Sequence, residues 1–156
     1  MDFIIQKMTE LGIESVRPFR SQYCAAFDPA ADRLSRWQKI ALEACKQCNR
    51  PKPPDLHAIT DFKNLLPVSE GDEHNLKLIF WEETGQKSLQ EILGTVNEIK
   101  SALILIGPEG GFNSGEVAAA VAAGFFPVTL GSRILRAETA AITAVSILQY
   151  ELGNLT

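Results

Sequence analysis

The stretch Ala102-Leu103-Ile104-Leu105-Ile106-Gly107-Pro108-Glu109-Gly110-Gly111-Phe112-Asn113-Ser114-Gly115-Glu116 reads as a strand, a glycine-rich turn and the start of a helix. Five successive apolar residues without alternation suit a strand buried on both faces, as in a parallel sheet covered by helices. The turn carries glycines at 107, 110 and 111, which let backbone approach a ligand closely and take conformations closed to other residues. Asn113 and Glu116 have the spacing of a capping box for the helix that follows. Such a turn is either a tight strand-to-helix connection or a ligand loop. In open α/β sheets ligands bind beyond the carboxyl ends of the strands, where this turn lies.

Working outward, the same alternation continues on both sides. Downstream come a helix over Ser114 to Ala123 closed by Gly124, a strand over Phe126 to Leu130, and a last helix over 138 to 152 followed by Gly153. Upstream lie a strand over Leu76 to Trp81 and a helix over Ser88 to Val96. Nearer the amino end, Phe3, Ile4, Met8 and Leu11 recur at helical spacing before Gly12, Ile13 to Phe19 reads as a strand, and Ser21 to Ala31 as a loop. Asp32 is placed to cap a long helix whose apolar stripe is Leu34, Trp37, Ile40, Ala41, Ala44, Cys45 and Cys48, ended by Pro51, Pro53 and Pro54. A brief strand at Leu56 to Ile59, a short helix at Asp61 to Leu66 and a polar turn at Ser69 to Asn75 complete the chain. The fold class expected is α/β, a mostly parallel sheet with helices on both faces, in one domain over 1–156.

The composition, 46% hydrophobic and 22% charged, is that of a globular domain and argues against disorder and fibrous classes. No apolar run is long enough to span a bilayer and no secretory pattern opens the chain, so a cytoplasmic location without membrane association is expected. Three cysteines, an odd number, suit free thiols in a reducing compartment. Cys45-x-x-Cys48 resembles half a zinc site or a redox pair, but His57 and His74 do not supply a second half and the pair falls late in a helix; no metal is expected. The net charge of −4 hides an asymmetry: residues 1–52 hold nine Lys or Arg against six Asp or Glu, and residues 53–156 hold six against thirteen. Arg17, Arg20, Arg33, Arg36, Lys39, Lys46, Arg50 and Lys52 form either a phosphate-contacting patch or a solvated helix face beside a loop.

The loops after Trp81, Ile106 and Leu130 are the places to look for a ligand, and all three are unusual. The glycine turn lacks the dinucleotide-binding spacing and the Gly-Lys-Ser/Thr of a triphosphate loop, and its charged member, Glu109, repels phosphate and suits a cation. After Leu130 comes Gly131-Ser132-Arg133-Ile134-Leu135-Arg136-Ala137-Glu138-Thr139-Ala140-Ala141, with apolar Ile134 and Leu135 where a surface loop is normally polar. They either plug the core or cover a flat apolar ligand such as an adenine ring. A ligand with a sulfonium and an ammonium and no phosphate, S-adenosylmethionine, fits this chemistry better than ATP or NAD.

Five pieces of the chain, in matching order, are similar to the ribosomal small-subunit methyltransferase E family. They are Ile5 to Gly12, Trp37 to Ala41, Glu43 to Cys48, Leu105 to Gly111 and Leu130 to Ala140. The resemblance implies a SPOUT-type fold with a C-terminal trefoil knot, a homodimer, S-adenosylmethionine as cofactor, and methylation of a uridine at N3 in small-subunit (16S) ribosomal RNA or the assembled subunit. Family members begin with a small β-barrel RNA-binding domain and a first catalytic strand, both expected to lie before this chain's residues. The expected cofactor site comprises Phe80, Gly107, Pro108, Glu109, Gly110, Gly111, Leu130, Gly131, Ile134, Leu135, Arg136, Thr139 and Ala140. Arg136 is the candidate stabiliser of negative charge on the uracil, or a holder of RNA phosphate, and Glu138 the candidate base; Arg17, Arg20 and Arg133 are candidate RNA contacts. A glutamate there also gains from the helix dipole and has a purely structural reading.

Overall fold

In a computed structural model the described residues are 1–24, 33–70, 76–83, 87–96 and 98–155, with side chains omitted at 67–70. In chain order the elements are α1 (Asp2–Glu10), β1 (Ser15–Val16), β2 (Phe19–Arg20), α2 (Arg33–Cys48), β3 (Asp55–Leu56), β4 (Thr60–Asp61), α3 (Phe62–Glu70), β5 (Leu76–Phe80), β6 (Lys87–Ser88), α4 (Leu89–Leu93), β7 (Ala102–Ile106), α5 (Ser114–Ala122), β8 (Phe126–Thr129) and α6 (Ala137–Glu151). The main sheet has the order β6-β8-β5-β7 and every pair in it is parallel.

The near-continuous apolar run of β5 follows from burial on both sides, whereas β7, at the edge of the sheet, is buried at Leu105 and half-buried elsewhere. Ile79 and Leu105 face a cluster with Phe62, Leu65 and Leu66 of α3 and with Val117 and Ala120 of α5. Leu76, Leu78 and Phe80 point the other way, onto Leu89 and Ile92 of α4 and Ala144 and Leu148 of α6. The period of two along a strand sorts these residues to opposite layers. α1 and α2 form a further unit. Ile5 packs with Trp37 and Ala41, while Met8 meets Ala141 and Val145 of α6. The end of α1 is closed by bonds from Gly12 N to Thr9 O and from Ile13 N to Met8 O, the pattern that satisfies the last helical carbonyls.

Several expectations change. The single strand over Ile13 to Phe19 is two short ones: β1 pairs with β3 and β2 with β4, because the chain changes partner at Arg17-Pro18. Of the brief strand expected at Leu56 to Ile59 only Leu56 is in a strand, at the end of β3; residues 57–59 link it to β4. The helix expected over Ser88 to Val96 stops at Leu93, and Lys87–Ser88 before it joins the sheet beside β8. α3 runs on through Glu70, so Ser69 and Glu70 are helical. The rest of that expected turn, the cap at Asp32 and most of the loop over Ser21 to Ala31 lie outside the described residues. Among the described residues no helix is long and apolar enough to cross a membrane.

Candidate functional site

Register brings the three strand-end loops together. Phe80, the last residue of β5, is paired with Ile106 on one side and Val128 on the other, so the chain leaves all three strands at nearly one level. Trp81 N donates to Val128 O at 3.0 Å and fixes the start of the first loop against β8. The loops beginning at Trp81, Gly107 and Leu130 therefore form one continuous edge above adjacent strands, the place where open parallel sheets bind ligands.

In the Gly107–Asn113 loop a turn is closed by Gly111 N donating to Pro108 O at 2.9 Å. Gly107 sits against the Phe112 ring, where a Cβ would come within 3.2 Å of the ring carbons. Phe112 is buried and anchors the loop to the core. Gly111 has φ +70°, and a Cβ there would lie 3.1 Å from Oε1 of Glu82. The expected capping box forms: Glu116 N donates to Asn113 Oδ1 at 2.9 Å and Asn113 N to Glu116 Oε2 at 3.0 Å. Glu109 is exposed, as are Glu82 and Glu83 on the neighbouring loop. Phe80 itself is buried beneath the edge.

The loop from Leu130 into α6 begins with a bond from Thr129 Oγ1 to Gly131 O at 2.9 Å. Gly131 has φ +105° with open space where a side chain would stand. Ile134 is 77% exposed, so it does not plug the core. Leu135 is half-buried. Arg136 is the N-cap of α6, accepting from Ala140 N at 2.8 Å through its carbonyl while its side chain makes no cap bond. Arg136 is exposed at the end of a helix whose dipole disfavours a cation, and its side chain does not cap the helix. Glu138 stands in the first turn, half-buried. Thr139 is exposed, and Ala140 and Leu130 are half-buried. Arg133 is exposed on the same loop.

The amino-terminal cations do not make one free patch. Arg50 turns inward, donating to Thr9 O at 3.1 Å and Ile13 O at 2.7 Å, and so completes the end of α1. Arg36 pairs with Asp2, Lys46 with Glu43 at 2.6 Å, and Arg20 with Asp61 at 3.0 Å. Arg17 is half-buried in a groove beside β7 that Lys100 and Asn154 also line, and Arg20 is half-exposed immediately before the Ser21–Cys24 turn. That turn reaches the glycine loop, which sequence reading did not anticipate: Gln22 N donates to Glu116 Oε1 at 2.9 Å, and Asn113 Nδ2 donates to Gln22 Oε1 at 2.7 Å. The partners are over ninety residues apart, and no local pattern marks them. The three cysteines are free thiols, with Cys45 buried in α2.

Comparison with known proteins fits this arrangement. The RNA methyltransferase domain family matches residues 1–149. The ribosomal RNA small subunit methyltransferase E of Buchnera aphidicola subsp. Schizaphis graminum is 33% identical over 159 aligned residues, covering 100% of this chain and 62% of its own. The protein of the same name from Bacillus subtilis is 32% identical, over 97% of this chain and 61% of its own. A Neisseria gonorrhoeae ribosomal RNA small subunit methyltransferase E, solved bound to S-adenosyl methionine, superposes with TM-score 0.86 at 37% identity, covering 100% of this chain and 62% of that one. A Legionella pneumophila protein, solved with bound cofactor SAM, gives 0.84 at 33% identity over 96% of this chain and 60% of that one. The chain spans about six-tenths of the length of these relatives.

Proposed function

This chain belongs to the RNA methyltransferase domain family, and on that premise we propose that it uses S-adenosylmethionine to methylate N3 of a uridine in small-subunit (16S) ribosomal RNA, free or in the assembled subunit. The observation that carries the reading is the shared edge above β5, β7 and β8, where a glycine loop, a bare apolar residue at Ile134 and a cation at the helix start, Arg136, stand on neighbouring loops.

The donor set fits the cofactor. Glu82, Glu83 and Glu109 keep the mouth anionic, which favours a ligand carrying a sulfonium and an ammonium over one carrying phosphates. Ile134 and Leu135 offer apolar surface for an adenine ring, with loop backbone nearby to read its edge. Bound there, S-adenosylmethionine supplies a methyl group on a sulfonium carbon, open to direct displacement.

The remaining requirements fall to this chain's side chains. Uridine N3 carries a proton at neutral pH, so a base must take it or the resulting anion must be stabilised. Arg136 presents a rigid fork of donors for the negative charge on the uracil, which explains a cation at a helix start. Glu138, two residues on, accepts the N3 proton. Arg133 on the same loop, with Arg17 and Arg20, contacts the RNA backbone. A C-terminal trefoil knot, a homodimer and a cytoplasmic location complete the proposal. For the dimer, α6 gives limited support: its apolar girth is used within the chain, Ala144 and Leu148 in one cluster and Ala141 and Val145 in another. Ile147 and Tyr150 remain exposed.

The test is calorimetric titration with S-adenosylhomocysteine and with ATP, followed by nucleoside mass spectrometry of small-subunit RNA incubated with the protein and S-adenosylmethionine. Binding of the first ligand alone and appearance of N3-methyluridine are expected. Preference for ATP, or a methyl group on ribose or on another base, refutes the assignment.

A further inference from the structure

Four residues of the amino-terminal half hold the glycine loop at three points. Phe19 stacks on Phe112 with ring centroids 6.1 Å apart and planes 8° from parallel, and Phe62 of α3 closes the triangle at 5.8 Å and 5.7 Å. Tyr23 stands behind Gly110: a Cβ on that glycine would fall 2.7 Å from the Tyr23 Cβ and 3.2 Å from its carbonyl oxygen. Gln22 lies between them on the capping box, accepting from Asn113 Nδ2 at 2.7 Å through its side chain and donating to Glu116 through its backbone. The turn is itself closed, with Cys24 N donating to Ser21 O at 3.2 Å and Ser21 N to Cys24 Sγ at 3.3 Å.

We propose that the Ser21–Cys24 turn is a positioning element for the Gly107–Asn113 loop, with Gln22 and Tyr23 holding it in the shape that receives the cofactor. The inference rests on the function proposed above. Three glycines give that loop many conformations, and each must be given up when a ligand binds. A loop held beforehand loses less on binding, so contacts that never touch the ligand still raise affinity. Phe112 fixes one side of the loop through the core and the capping box with Glu116 ties down Asn113, while Gly110 and the Asn113 side-chain amide meet the turn. The Gln22 bonds are exposed and individually weak, yet they act at the end of the loop, on the capping box that joins it to α5.

Gln22 is exposed, so its substitution leaves the core untouched. Gln22→Met keeps side-chain length and removes the acceptor, whereas Gln22→Glu keeps an acceptor for Asn113 Nδ2. Two readouts on the purified protein separate positioning from stability. Without ligand, hydrogen exchange at the Gly111 amide is expected to rise in Gln22→Met while the β5 amides stay unchanged, and to return toward wild type in Gln22→Glu. By calorimetry, S-adenosylhomocysteine affinity is expected to fall about three- to tenfold in Gln22→Met, the equivalent of one exposed hydrogen bond. Unchanged exchange at Gly111 overturns the proposal, as does faster exchange with affinity within about twofold of wild type. Faster exchange throughout β5 as well assigns Gln22 to general stability and also overturns it. Wild-type protein that binds no S-adenosylhomocysteine overturns the functional reading, and this proposal with it.

Discussion

Gly131 and Gly124 provide a matched pair for testing where the cofactor loop lies. Gly131 has φ +105° and Gly124 φ +88°, and a Cβ at either would meet nothing within 4 Å. Alanine therefore causes no clash at either position, and its cost is backbone strain alone. Placing a non-glycine residue in the left-handed region costs about 1–2 kcal/mol. For a domain of this size each kcal/mol corresponds to about 2–4 °C, so both variants should melt about 2–8 °C lower than wild type. The two differ in place. Gly124 follows α5 and precedes β8, on the amino side of the sheet, whereas Gly131 follows β8 on the carboxyl side. Gly131→Ala is expected to weaken S-adenosylhomocysteine binding about tenfold or more, as the loop moves to relieve the strain, while Gly124→Ala stays within about twofold. Calorimetry beside thermal melts on both proteins decides the matter. Equal affinities in the two variants, whatever their melting temperatures, refute the placement of the cofactor on the β8–α6 loop.

Arg136→Ala should reduce turnover about 100-fold while leaving cofactor affinity within about threefold, because charge on the uracil develops in the transition state; an equal loss in both would make Arg136 a binding residue only. Glu138→Gln should leave a large rate defect that rising pH partly relieves as the uridine itself ionises, and a rate within about threefold of wild type, less than about 1 kcal/mol of barrier, returns Glu138 to a helix-start anchor. Arg50→Met should cost about 2 kcal/mol and lower the melting temperature by about 4–8 °C, since two partly buried charged hydrogen bonds to the end of α1 are lost; an unchanged melt removes that role. The backbone N–H and hydroxyl of Ser88 both donate to Glu91 and hold its carboxyl below its ordinary value of 4.5. A lowered folded-state pKa stabilises above the unfolded value and is lost as pH falls through the folded one, so the melting difference between wild type and Ser88→Ala should be constant near neutrality and shrink below pH 4.5.

Features governed by interactions over a few residues were legible in the sequence. The apolar run of β7, the Asn113–Glu116 capping box and the ends of α5 and α6 each follow from periodicity, capping chemistry or a glycine within one turn of the feature. The two loops that carry the proposed chemistry were legible for the same reason, since misplaced apolar residues and clustered glycines are visible wherever the strands end. Ile134 illustrates the boundary: its oddity was apparent, but only its 77% exposure excluded a core plug.

What the tertiary structure decided depends on which distant segments become neighbours. Lys87–Ser88 has no strand propensity and is a strand only because the edge of β8 lies beside it. Ile13 to Phe19 looked continuous, yet its two ends find different partners in β3 and β4. Arg50 reads as a surface cation until the carbonyls of Thr9 and Ile13 are brought within reach. Gln22 and Asn113 are joined by a hydrogen bond across 91 residues. Local sequence sets the torsions and the caps because the groups involved are already tethered together, whereas strand order, ion pairing and the bracing of the glycine loop depend on how the whole chain closes on itself.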